Sequence, residues 1–364
     1  MKQIHDISAF RAYKARRYFG SLDGIRAIAI IGVLWHHTTQ PVDWLPITAR
    51  GFLGVDLFFV LSGWLIVTLM LRERDRTNDI SLKKFYMRRT LRIFPVYYAL
   101  LFVLAIGFGV LARDSSLAAP FLATLPYYIT YTSNWTALDE GSLLVIAWSL
   151  ATEEQFYLAW PPLEKYLKKA VLPILFVLVF INQLINYGII FTAAHERLEV
   201  LQSTFTPILL GVLLAHLMHS QDWYERLHKL FGNKWASAAF FGIILVLLNI
   251  FPLGTDISGT PRLLIHFAMV GFLASCVLNE EHVLAGAMRW KPIGRIGIIS
   301  YGMYLFHMLV VIVARPILER IGLDHMLILF VVVTIGTFIV AELSFRFYET
   351  PFLRLKARWS TTTH

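Results

Sequence analysis

Arg26 and His37 stand eleven positions apart in an otherwise apolar run, LDGIRAIAIIGVLWHH. On a helix that spacing is about 1,100° of rotation, three turns plus about 20°, so both side chains project from one face, about 16 Å apart along the axis. A charged group near the centre of a bilayer costs several kcal/mol unless it is paired or faces a cavity, which makes both residues candidates for function. An imidazole so placed has the chemistry of a general base or a nucleophile. The alternative is an arginine and a histidine that snorkel toward opposite headgroup layers. His36 points about 80° away from Arg26 and is the weaker partner.

Other polar groups recur at similar cost. GVDLFFVLSGWLI places Asp56 at the depth of His37, where a carboxylate either orients the imidazole or caps its own helix. FYMRRTLRIFPVYY puts Arg88 and Arg92 one turn apart with Arg89 beside them, just before Pro95, which can bend the helix. Such a cluster could clamp phosphates by bidentate contacts, or serve only as a topology signal. WSLATEEQFYLAWPP carries Ser149, Glu153, Glu154 and Tyr157; Glu153 and Tyr157 share a helix face, so an acid and a phenol could line one cavity. ISYGMYLFH sets Ser300, Tyr304 and His307 in a polar stripe, with Tyr301 adjacent. His307 is equally readable as a packed histidine with a backbone partner. No metal-ligand spacing occurs.

These residues need a membrane to make them expensive, and composition supplies it. Of 364 residues 57% are hydrophobic and 16% charged, against about 25% charged in a soluble domain. Apolar runs of spanning length recur from end to end. They predict an all-α polytopic membrane protein of about ten transmembrane helices, roughly 23–41, 52–71, 88–111, 145–164, 171–191, 203–219, 235–252, 262–279, 295–314 and 325–347. The stretch from Leu117 to Trp135 reads as an interfacial loop or short helix. The net charge of +9 resides in loops, which argues for membrane topology and against a nucleic-acid partner. Of the 33 lysines and arginines, 26 fall on the side of the N-terminus, Arg26 lies inside the first span, and Arg50, Arg113, Arg197, Arg262, Arg315 and Arg320 fall on the other side. That alternation places both termini in the cytoplasm. The single cysteine, Cys276, excludes a disulfide framework. The basic lead and apolar segment at the N-terminus resemble a signal peptide without a cleavage site, so the segment is expected to be retained as the first span. No internal repeat or linker divides residues 1–364, which read as one membrane domain.

Assembled in order, the blocks from Leu22 to Pro351, closing with ELSFRFYETP, resemble the membrane acyltransferase family 3, integral membrane O-acyltransferases. The resemblance implies a multi-pass protein of the cytoplasmic (inner) membrane. It would move an acyl group, acetyl by default, from cytoplasmic acyl-CoA to a hydroxyl of a cell-surface glycan, glycolipid or secreted metabolite. Acyl-CoA is then a donor substrate, and no cofactor is held permanently. Under that reading Arg88, Arg89 and Arg92 hold the CoA phosphates and Arg26 lies along the donor's route. His37 is base or acyl carrier, with Asp56 or Glu153 fixing its tautomer. Ser149, Tyr157, Ser300, Tyr301, Tyr304 and His307 line the substrate path. Membrane lipid surrounds the whole, and loops such as Ala112 to Leu144 set specificity. Some members carry a C-terminal hydrolase-like domain; this chain ends soon after its tenth helix, so the acceptor is expected to reach the membrane domain directly. The rival class is a transporter or proton-coupled permease, which also uses intramembrane Arg, His and Glu, though paired repeats and broken helices are not evident. A lipid-linked glycosyltransferase would need an acidic metal-binding loop, and none is found.

Overall fold

The computed structural model describes residues 2–135, 143–190, 196–255, 257–357 and 359. Among them the apolar runs fold as helices, and the sole β-type pairing is an isolated bridge between Val42 and Leu45. In chain order the first helices are α1 (Lys2–Ala15), α2 (Ser21–Thr38), α3 (Gly54–Thr77), α4 (Leu82–Ile106), α5 (Ala118–Ile129) and α6 (Ala147–Tyr166). Next come α7 (Val171–Asn186), α8 (Glu196–His219), α9 (Gln221–Phe231), α10 (Ala236–Ile250) and α11 (Thr260–Leu278). The chain closes with α12 (Ala285–Met288), α13 (Lys291–Ile298), α14 (Ser300–Arg320), α15 (Met326–Leu343) and α16 (Thr350–Ala357).

Local chemistry sets several boundaries. α3 stops where Asn78 turns left-handed, with φ of 58°, a conformation asparagine tolerates better than most residues. Ser81 then caps α4 by accepting a hydrogen bond from the Lys84 amide. This early start places the arginine cluster inside α4 and not ahead of it. α2 ends at Thr38 because Thr39 becomes extended. The stretch around Leu117 to Trp135 is the short helix α5 followed by a 3-10 turn, Ser133–Trp135.

Each of the ten expected spans contains a helix, yet five helical segments among the described residues are long and apolar enough to cross a bilayer. They are Gly51–Thr77, Leu82–Leu111, Thr260–Leu278, Ser300–Arg320 and Met326–Leu355. α9 and α10, bent by 73°, make a sixth if taken as one broken span. Three of the others fall short for visible reasons. α2 carries Asp23, Arg26, His36 and His37 in 18 residues, and α6 carries Glu153, Glu154, Glu164 and Lys165. α7 has 16 residues, a rise of about 24 Å where the hydrocarbon core is about 30 Å thick.

The chain forms two compact units interleaved in sequence. Met1–Asn78, Lys169–Thr192 and Gln202–Ser300 make the first; Asp79–Lys168, Ala193–Leu201 and Tyr301–His364 make the second. In the first, α2 packs against α3 and α13, and α10 against α11. Its core includes Ile25, Ile30, Leu34, Val60, Trp64 and Phe272. In the second, α4 packs against α5 and α16, with Tyr97 and Tyr131 stacked at 4.6 Å between ring centres.

Candidate active-site residues and cavities

In the first unit α2 carries both Arg26 and His37 on one unbroken helix. Arg26 Nη1 donates to Asp23 Oδ1 at 2.6 Å, one turn back, and the Tyr18 hydroxyl donates to Asp23 Oδ2 at 2.7 Å. The charge of Arg26 is therefore balanced within its own helix. His37 Nδ1 lies 2.9 Å from the Val33 carbonyl. A carbonyl only accepts, so Nδ1 carries the hydrogen and Nε2 of the neutral ring carries the lone pair. His36 contacts the rings of both His37 and Phe52, at 5.1 and 5.5 Å. The 51–54 turn reaches α2 closely because two glycines face it: a Cβ on Gly51 would collide with the Gly32 carbonyl, and one on Gly54 with that of Ala29.

Asp56 does not orient His37. Its carboxylate accepts from Arg262 Nε at 3.0 Å and Nη2 at 3.2 Å, and from His266 Nε2 at 2.8 Å. Nor does it cap α3, whose N-terminus has no side-chain cap bond. α11 packs against α3 and presents Arg262 and His266 from adjacent turns, so the fully buried Asp56 meets two donors that offset its desolvation. The signal in the sequence is two polar residues at i and i+4 in RLLIH, where loop counting assigns Arg262 to a loop and gives no reason to single out His266. Arg262 also lies over the Phe52 ring at 5.5 Å. With Phe52, Arg50, Thr255 and Ser258 it lines a cavity of about 320 Å³. Buried Arg50 binds the carbonyls of Leu248 and Phe251, each at 2.7 Å, and of Pro252 at 3.2 Å.

In the second unit the three clustered arginines diverge. Arg88 Nη1 donates to the Trp359 carbonyl at 3.0 Å, and Arg92 interacts electrostatically with Glu349. Arg89 lies over the Tyr157 ring at 5.0 Å, and it alone of the three lines a cavity of about 550 Å³. Other walls of that cavity are Phe94, Tyr131, Trp135, Glu154 and Tyr157. The Tyr157 hydroxyl donates to Glu153, so the acid and phenol on one face do meet. Gln155 pins the Tyr131–Trp135 turn beside the cavity. It donates to the Tyr131 carbonyl and to Asn134 Oδ1, both at 2.8 Å, and accepts from Trp135 Nε1 at 3.3 Å. Sequence reasoning passed over Gln155, although it is polar within the same apolar block.

The polar stripe of α14 is buried but does not line this cavity. Tyr304 exchanges a 2.6 Å hydrogen bond with Ser149 and reaches the Ile146 carbonyl at 3.1 Å. His307 Nδ1 donates to the Tyr304 carbonyl at 2.6 Å, and Tyr301 donates to the Ile93 carbonyl at 3.2 Å. Ser149, Tyr301 and Tyr304 thus fasten α14 to α6 and α4, and His307 has the backbone partner of a packed histidine. Ser300, at the start of α14, is buried in the first unit.

An acyltransferase domain model matches residues 19–344 of the chain. The chain belongs to the acyltransferase 3 family. All six blocks that carry the resemblance begin within that match, from the Arg26–His37 helix onward. Peptidoglycan O-acetyltransferase OatA of Listeria monocytogenes is 31% identical over 93% of the chain and 56% of its own length. The putative O-acetyltransferase SACOL0978 of Staphylococcus aureus is 32% identical over 96% of the chain and 59% of its own length. The putative peptidoglycan O-acetyltransferase YrhL of Bacillus subtilis is 28% identical over 92% and 55%. The chain therefore spans little more than half the length of these curated relatives. No solved structure matches it.

Proposed function

We propose that the protein is a multi-pass O-acyltransferase of the cytoplasmic membrane, moving an acetyl group from acetyl-CoA to a hydroxyl of an extracytoplasmic glycan. The relatives named for O-acetylation support the reaction class. The alternation of basic loops supports ten spans with both termini in the cytoplasm; in this reading the polar helices α2 and α6 cross the membrane among the apolar ones.

The observation that carries the reading is the tautomer of His37. With Nδ1–H held by Val33, Nε2 is the basic nitrogen. It takes the proton of the acceptor hydroxyl as that oxygen attacks the thioester carbonyl. The tetrahedral intermediate collapses, the C–S bond breaks, and the imidazolium returns the proton to the CoA thiolate. Arg89 is the residue we assign to the CoA phosphates, because of the three it alone lines the larger cavity. Tyr157 and Glu153 hold the wall on which its guanidinium rests. Arg26 is assigned to the donor's route, oriented by Asp23.

Purified protein in detergent, given acetyl-CoA, tests the reading through release of free thiol. Release that requires a glycan acceptor and disappears in His37→Ala supports it. Thiol release indifferent to acceptor, or an unimpaired His37→Ala variant, overturns it.

A further inference from the structure

Arg262 spends one edge of its guanidinium on Asp56, through Nε and Nη2. Nη1 has no acceptor among the described residues. The second guanidinium of the same cavity, on Arg50, binds only backbone carbonyls and no carboxylate among the described residues. Among the described residues the two arginines thus bring two positive charges to one cavity, and the carboxylate paired with them is Asp56. Thr255 adds a hydroxyl to the wall and Phe52 an apolar face. At about 320 Å³ the space sits at the lower end of the roughly 300–1,000 Å³ typical of small-molecule sites, which suits one sugar ring. Phe52 also touches His36, whose ring touches His37, so this wall adjoins the histidine pair.

We propose that this cavity is a subsite for a carboxylate or phosphate group on a saccharide acceptor, with the outward edge of Arg262 as its principal contact. The proposal rests on the reading of function above, because it names the class of acceptor for that reaction. A guanidinium fork matches the paired oxygens of either anion and gives stronger hydrogen bonds than neutral donors do. Asp56 and His266 are then positioning residues: the buried carboxylate, itself held by His266, fixes the plane of the Arg262 guanidinium.

The test uses the full chain in detergent and three probes of equal size: a disaccharide bearing a uronic acid, a disaccharide phosphate and a neutral disaccharide. Calorimetry on the wild type should give at least one anionic probe an affinity about tenfold or more above the neutral one. The stronger of the two anionic probes identifies the anion. Arg262→Lys keeps a cation for Asp56 but loses the planar fork; it should erase most of that preference while acetyl-CoA affinity stays unchanged. A salt titration of the wild type needs no variant and should weaken the anionic probe selectively. Equal binding of all three probes by the wild type, or full preference retained in Arg262→Lys, would overturn the proposal. Acyl transfer without any charge preference would sink the subsite and leave the reaction standing; a charge preference without acyl transfer would do the reverse.

Discussion

The two cavities differ in what holds their arginines. In the first unit Arg262 is gripped by a fully buried carboxylate that also binds His266, so charge answers charge. In the second, Arg89 rests on the faces of Tyr157 and Phe85, at 5.0 and 6.0 Å, Glu154 acts on it only through space, and five of the twelve lining residues are aromatic. A guanidinium locked by a carboxylate has a fixed edge to offer, which suits recognition of a shaped anion. One resting on aromatic faces is held more loosely, which suits the phosphates of a long donor that slides into place. The smaller, charge-built cavity is therefore assigned to the acceptor and the larger, aromatic one to the donor.

The largest expected effect is at neither arginine. His37→Ala should lower acyl transfer by about 10² to 10⁴, read as acceptor-dependent thiol release, with thermal stability in detergent near that of the wild type. A large fall in stability would mean the histidine is structural, and the assignment of chemistry beside the first cavity would fail. Next comes Asp56→Ala, which leaves Arg262 without its counter-charge and should destabilise the protein by about 3–5 kcal/mol, seen as an earlier thermal transition. Arg89→Ala should destabilise by only about 1–2 kcal/mol, the scale of a half-buried cation–π contact. If Asp56→Ala cost no more than Arg89→Ala, the contrast between charge-held and ring-held arginines would be wrong.

A smaller effect follows from His282, in the turn after α11. Its ring sits between Ser21 Oγ at 2.8 Å and Ser237 Oγ at 3.0 Å. Burial, aided by the Arg289 charge, pushes its pKa down to about 4 from an ordinary 6.5. Above pH 6.5 the ring is neutral whether the chain is folded or not, and it contributes no pH dependence. As pH falls from about 6.5 to about 4, the unfolded chain gains a proton that the folded chain refuses, so stability declines across that window. The melting temperature of the wild type should drop there more steeply than that of His282→Asn. Equal slopes would remove His282 from the account. Comparisons of the two cavities are therefore best made above pH 7.

Much of this arrangement was legible in the residues, for reasons that also set the limit. Helical spacing places Arg26 with His37 and Glu153 with Tyr157, because both relations lie within one helix and follow from 3.6 residues per turn. The phenol and acid do bond. Spacing says which face a residue occupies but not which helix lies opposite. Asp56 finds its partners more than 200 positions away on α11, and nothing local to α3 announces them. The arginine cluster failed for a related reason. Arg88, Arg89 and Arg92 are neighbours in sequence, but each points at a different part of the second unit, and only Arg89 reaches the cavity. Hydropathy found each expected span as a helix, of which five segments among the described residues are apolar enough to cross by length and composition, α2 being made more polar by Arg26, His36 and His37 and α6 by Glu153 and Glu154.

In this assignment donor and acceptor are recognised by different arginines. Arg89→Ala and Arg262→Lys, each assayed for acetyl-CoA affinity and for KM of an anionic disaccharide acceptor, test it together. Arg89→Ala should weaken acetyl-CoA binding about tenfold and leave the acceptor KM alone, while Arg262→Lys should raise the acceptor KM and leave acetyl-CoA binding alone. If either variant shifted both quantities equally, or if the two effects were exchanged, the division of labour would be contradicted.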